Sequence, residues 1–230
     1  MLTLVAIAAA CVLVVAAARR WPGPKVRVLA RILAIALVAA EGSWWIYAAA
    51  RHLPLSIALP LHVCDVAPLV AAAALWWRHP LAAEIAYFWG LAGSLMALLT
   101  PDLPDVPGSF LWTQYVIEHG VTVLAALLLP LGMGLAPRRG ALGRAVAATA
   151  AVALVAGVAD LLTGGNYMFL RHPPASPTLL NLLGPWPWYL ASVALIAFGL
   201  LALLDLPFRL RRRVSIPSPP VRHLSKEIGP

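Results

Sequence analysis

A thiol, two imidazoles and a set of carboxylates stand out in a chain otherwise poor in polar side chains. Cys64 is one of two cysteines, the other being Cys11; it follows His62 by two residues and directly precedes Asp65. Glu118 and His119 are adjacent, with Gln114 four residues before Glu118. A cysteine with an imidazole base can form a thiolate and take an acyl group from an ester, and a carboxylate can orient the imidazole. Helical geometry sorts the pairs. Positions two apart point in nearly opposite directions, so His62 is a poor base for Cys64. Positions three or four apart share a face, as His62 does with Asp65 and Gln114 with Glu118. His119, brought by another helix at similar depth, is the better base. The expected catalytic set is Cys64, His119, Asp65 and Glu118, with Asp65 or Glu118 orienting the histidine.

A second set is expected to bind substrate: His62, Gln114, Asn166, Tyr167, Arg171, Glu41 and Asp160. Gln114, Asn166 or Tyr167 would donate to a developing oxyanion. Arg171 would hold the phosphate or carboxylate of a lipid headgroup. The same residues also have structural readings: a small buried cysteine, histidines bridging helices, and a Tyr-Arg-Phe anchor at an interface. No HExxH or comparable ligand spacing occurs, so no metal is expected, and no glycine-rich nucleotide motif calls for a cofactor. The cysteines form no CxxC and lie in apolar stretches, so no disulfide framework is expected.

These residues need elements to carry them, and the composition says which. Of 230 residues, 62% are hydrophobic and 11% charged, against about 25% charged in a soluble domain. A bilayer uses such apolar surface, at about 20 residues per spanning helix. The net charge of +8 points to cytoplasmic loops and anionic headgroups, with no nucleic-acid partner expected. The fold class expected is all-α, a polytopic seven-transmembrane-helix bundle over residues 1–206, with spans near 2–18, 28–50, 57–77, 80–100, 109–132, 145–163 and 186–206. Residues 207–230 form a basic, proline-rich tail expected to be disordered. The first segment lacks a basic leader region and ends in Arg19-Arg20, the reverse of a cleavable signal's charge order, so it is read as a retained helix.

Placing the N-terminus outside and the C-terminus in the cytoplasm puts fifteen of the seventeen basic residues on the inner side, as the positive-inside rule requires. Only Arg51 and Arg171 fall outside, and the acidic Asp102 and Asp105 lie in an outer connector. In this arrangement Glu41, His62, Cys64, Asp65, Gln114, Glu118, His119 and Asp160 reach the outer half of the bundle, most of them roughly 5 to 15 Å below the surface at 1.5 Å per helical residue. Glu84 is the outlier, near an inner end. Gly90, Gly93 and Ser94 form a small-residue stripe expected to serve close helix packing.

Several segments resemble the YwaF-like family of bacterial integral membrane proteins: Leu59-Pro-Leu-His-Val-Cys-Asp-Val-Ala67, Tyr87-Phe-Trp-Gly-Leu-Ala-Gly-Ser-Leu95, Thr100-Pro-Asp-Leu103, Glu118-His-Gly120, Gly165-Asn-Tyr-Met-Phe-Leu-Arg171 and Leu183-Gly-Pro-Trp-Pro-Trp-Tyr189. The resemblance runs from about residue 28 to 205. It implies seven helices and a bacterial cytoplasmic (inner) membrane location. The chain is also distantly similar to the eukaryotic family called transmembrane protein 164, regarded as acyltransferases acting on ether phospholipids. That likeness implies a cysteine and a histidine at work, matching Cys64 and His119 here. The leading expectation is a lipid acyltransferase or acyl hydrolase whose partners are membrane lipids. The alternative is a small-solute or proton-coupled transporter or channel, with Glu84, Glu41 and Asp160 marking a path.

Overall fold

In a bilayer every backbone N–H and C=O must be paired within its own segment or barrel, so an apolar chain of this kind folds as helices. The computed structural model describes residues 2–101, 106–174 and 182–214, and no strand occurs among them. Nine α-helices occur among the described residues: α1 (Leu2–Arg20), α2 (Pro24–Ala50), α3 (Leu55–Ala58), α4 (Val63–Trp77), α5 (Pro80–Trp89), α6 (Leu95–Leu99), α7 (Phe110–Gly132), α8 (Ala141–Thr163) and α9 (Trp188–Val214). A π-helical turn, Gly90–Ser94, joins α5 to α6 in one rod. A short 3₁₀ turn, Tyr167–Phe169, follows α8.

Helices occupy all seven positions expected from the sequence, but five are long and apolar enough to cross a membrane: Leu2–Arg20, Pro80–Leu99, Phe110–Gly132, Ala141–Thr163 and Trp188–Arg211. The chain is therefore a multi-pass membrane protein. The α2 helix is long but carries Lys25, Arg27, Arg31 and Glu41. The α4 helix has only 15 residues, or about 22 Å, shorter than the ~30 Å hydrocarbon layer.

The stretch expected as one helix over 57–77 is two helices with an extended break at Leu59–His62. Pro60 causes it: the residue before a proline is driven out of the α region, and Leu59 sits at φ −75°, ψ 141°. The break makes Val63 the first residue of a new helix. The last helix departs from expectation in the other direction and continues to Val214, helped by an Arg209–Asp205 ion pair one turn apart at 2.5 Å. Asp102, Asp105, Arg222 and Lys226 lie outside the described residues, as does most of the expected disordered tail.

At the centre is α7, packed on α1, α2, α4 and α5. The core there is rich in alanine: Ala30, Ala71, Ala74, Ala83, Ala86 and Ala125 are fully buried. Small side chains let the backbones approach closely. A Cβ on Gly90 would lie 2.6 Å from the Cβ of Ala126, so the π turn tolerates no side chain against α7. Gly93 is in ordinary contact only, with Val63. The outer surface is apolar, with Leu161, Ile46 and Leu195 largely exposed, as lipid-facing residues are. The α8 and α9 helices flank the bundle, α9 meeting mainly α8 and the π turn.

Candidate active site

Cys64 stands in the first turn of α4. His62 is the N-cap and is extended (φ −77°, ψ 151°), which makes Cys64 the second helical residue and Asp65 the third. The first N–H groups of a helix lack intrahelical partners and its N-terminus carries partial positive charge, which favours an anion there, while the neighbouring Asp65 carboxylate favours the protonated thiol at rest. Asp65 folds back over this turn. Its Oδ2 accepts the His62 backbone N–H at 2.9 Å and its Oδ1 accepts the Cys64 thiol at 3.6 Å.

His119 comes from the middle of α7 and is buried. Its Nδ1 lies 2.9 Å from the Tyr115 carbonyl oxygen. A carbonyl only accepts, so Nδ1 carries the proton and Nε2 presents a lone pair. That Nε2 is enclosed and has no hydrogen-bond partner among the described residues. The Tyr115 ring stacks on the imidazole with centroids 4.1 Å apart, and the Tyr115 hydroxyl donates to the Ala97 carbonyl at 2.6 Å. Tyr115 thus fixes His119 from two sides and is itself tied to α6.

Cys64 and His119 open on one cavity of about 880 Å³, shared with His62, Asn166 and Tyr167. Much of its wall is apolar, with Ala92 and Met96 and, from α9, Val193, Ile196 and Leu200 among the lining residues. The volume is within the ~300–1,000 Å³ usual for ligand pockets.

The mouth of the cavity is shaped by the segment after α8. Asp160, fully buried, accepts the Tyr167 N–H at 2.7 Å. The Tyr167 hydroxyl donates to the Leu55 carbonyl and accepts the Leu59 N–H at 3.0 Å. Burial pushes the Tyr167 phenol up from its ordinary range, which keeps it a donor. The Met168 N–H donates to His62 Nδ1 at 3.2 Å. Gly165 is required here, because a Cβ would come 2.9 Å from the Ser56 carbonyl. The segment therefore staples α8 onto the α3–α4 break.

The structure brings together five of the residues expected from the sequence as cavity walls: Cys64, His119, His62, Asn166 and Tyr167. Asp65 joins them through the thiol. Glu118 bonds to Gln114, whose amide also reaches the Ala40 carbonyl at 3.4 Å. Glu41 and Glu118 are buried and Asp65 is half-buried; the three carboxylates are close enough to interact electrostatically and link α2, α4 and α7. Among the hydrogen bonds of the described residues, neither Asp65 nor Glu118 orients His119; the Tyr115 carbonyl does. Arg171 is exposed, with one guanidinium nitrogen on the Gly165 carbonyl at 3.2 Å. Asp160 serves the loop anchor. Tyr115, His172 and Met168 were not singled out from the sequence. Met168 acts here through its backbone N–H, and Tyr115 through its carbonyl as well as its ring, and no residue letter announces a backbone role.

Glu84 lies apart from this site. Arg138 Nε meets one of its oxygens at 2.6 Å and Arg144 Nε the other at 2.8 Å. Both oxygens are engaged, so Glu84 is the hub of an ion cluster joining α5 to the start of α8. No group of three or more His, Cys, Asp or Glu with metal-site geometry occurs among the described residues.

A family model matches this chain over residues 1–205, which takes in every described helix up to the last turns of α9. The chain belongs to the TMEM164 family. The match bears out the distant similarity to the transmembrane protein 164 family; the YwaF-like resemblance is not confirmed by it. No curated protein and no solved structure matches it.

Proposed function

We propose that this TMEM164-family protein is a membrane-embedded lipid acyltransferase or acyl hydrolase working through an acyl thioester on Cys64. The observation that carries the reading is one cavity holding a thiol in the first turn of α4 and a buried imidazole with an uncommitted lone pair. In the proposed topology seven helical segments span or enter the bilayer, with the N-terminus outside and the C-terminus in the cytoplasm. The cavity then faces the outer leaflet. The apolar wall along α9 takes the acyl chain, and Arg171, exposed in the segment after α8, takes the headgroup phosphate.

In the first half-reaction the Cys64 proton passes to His119 Nε2, and the sulfur bonds to the acyl carbon while the carbonyl electron pair moves to oxygen. The pair returns, the ester C–O bond breaks, and the leaving alkoxide takes the proton from His119. The thioester is then attacked by the hydroxyl of a lysolipid, or by water, with His119 again taking and returning the proton. Asp65 holds the resting thiol in place until substrate enters. The helix N-terminus favours the thiolate during attack. Nothing in the cycle requires a metal or a second cofactor.

The reading is tested by lipid turnover in nanodiscs, followed by mass spectrometry, with and without a lysolipid acceptor. Cys64→Ala is expected to abolish turnover. His119→Ala is expected to slow it by about 10²–10⁴-fold, the usual worth of a general base. Turnover at the unmodified rate in Cys64→Ala overturns the covalent mechanism.

A further inference from the structure

An acyl carbonyl under attack gathers negative charge on oxygen, and donors already aimed at that oxygen lower the barrier. The three side chains expected to supply such a donor are all engaged. The Gln114 amide is taken by Glu118 and the Ala40 carbonyl. Asn166 Nδ2 is taken by the His172 carbonyl at 2.9 Å. The Tyr167 hydroxyl donates to Leu55.

His62 differs. Its Nδ1 accepts the Met168 N–H, and a ring nitrogen that accepts carries no proton. The neutral ring therefore holds its proton on Nε2. Nothing among the described residues accepts from that Nε2. The ring is wedged between Tyr167 and Phe169, with centroids 5.6 and 5.3 Å away, and it lines the cavity beside Cys64. The helical argument that turns His62 away from the thiol does not govern it, because an extended N-cap residue is not on the helix.

We infer that His62 is a second catalytic imidazole of opposite tautomer to His119, its Nε2–H donating a hydrogen bond to the acyl oxygen. The two rings are set by two backbone groups: the Tyr115 carbonyl accepts from His119 and so holds its proton on Nδ1, and the Met168 N–H donates to His62 Nδ1 and so leaves its proton on Nε2. One is thereby a base and the other an electrophile in the same cavity. No proton leaves His62 during the step; its N–H only shares with the oxyanion, and the proton transfers remain those of His119. The catalytic half of this inference rests on the acyl-transfer reading above, whereas the tautomers do not.

The loop that supplies the Met168 N–H is held in a strained conformation. Met168 and Phe169 are consecutive non-glycine residues at positive φ, 53° and 55°, a conformation that persists only where surrounding contacts impose it. Those contacts are present: Asp160 holds the Tyr167 N–H, and the Tyr189 hydroxyl donates to the Phe169 carbonyl. Without them the peptide before Met168 is free to turn its N–H away from His62.

The test is ¹⁵N-histidine NMR of the full chain in nanodiscs, with signals assigned by His62→Gln and His119→Gln. Neutral His62 is expected with Nε2 protonated and His119 with Nδ1 protonated. The same tautomer at both positions overturns the inference, whatever the activity. In parallel, acyl-Cys64 formation from a phospholipid is followed in His62→Ala and His62→Gln. Alanine is expected to slow it about 10²–10³-fold, the usual worth of one oxyanion donor, with little change in half-saturating lipid. Glutamine keeps an N–H donor and is expected to recover part of the rate. An unchanged rate in His62→Ala overturns the catalytic role. Absence of acyl-Cys64 in the unmodified protein overturns the acyl-transfer reading and that role together, and leaves the tautomers to the spectra.

Discussion

Cys64 and His119 are held by opposite kinds of contact. The thiol is tied by a side chain, Asp65, one residue on. The imidazole is tied by a backbone carbonyl one helical turn back. Because the carbonyl does the orienting, Tyr115→Phe is expected to keep turnover within about tenfold while losing about 1 kcal/mol of stability with the hydroxyl bond to Ala97; kinetics and thermal unfolding on the same preparation check both. A collapse of activity as deep as that of His119→Ala would place the orienting role on the hydroxyl. Residue types together with helical geometry brought Cys64, His119 and Asp65 forward as candidates, and the i,i+4 spacing paired Gln114 with Glu118, as the structure does. The orienting partner was not legible, since every residue has a carbonyl and only the fold decides which one faces a ring.

Two local departures from regular helix create the site. Pro60 breaks the chain before α4 and so delivers Cys64 to a helix N-terminus; the proline was visible in the sequence, but the restart of the helix at Val63 was not. The segment after α8 is the second. Its glycines and aromatics marked a loop, while its folding back onto Leu55, Leu59 and His62 depends on contacts more than a hundred residues apart in sequence. Asp160 is the anchor. Asp160→Ala leaves the buried Tyr167 N–H without its acceptor, which costs about 1–3 kcal/mol. Faster amide exchange at residues 165–172, with α7 unchanged, is the expected hydrogen-exchange result. Uniform exchange across the chain would show that Asp160 supports the whole bundle instead.

The bundle as a whole is polarised. Its buried acidic group and cavity lie toward one end, and Glu84 with Arg138 and Arg144 lies toward the other. The apolar composition fixed the membrane class from the outset, and the alanine-rich core follows from helices that pack without a hydrophobic driving force between them. Span count was less legible, because α2 carries charge and α4 is short. The proposed orientation predicts that, in a Cys11→Ala, Cys64→Ala background in intact cells, a single cysteine replacing Arg171 reacts with a membrane-impermeant maleimide. One replacing Arg139 is expected to react only after permeabilisation. The reverse pattern would invert the topology and place the cavity in the cytoplasmic leaflet.

The central claim is a covalent bond to one sulfur. Purified protein in nanodiscs, given a phospholipid of defined acyl chain and quenched in acid, is digested and the Cys64 peptide weighed. The expected mass gain is that of the acyl group less one hydrogen, removed by neutral hydroxylamine and absent from the peptide bearing Cys11. Lipid turnover with an unmodified Cys64 peptide at every quench time, or an acyl group found on another residue, would contradict it.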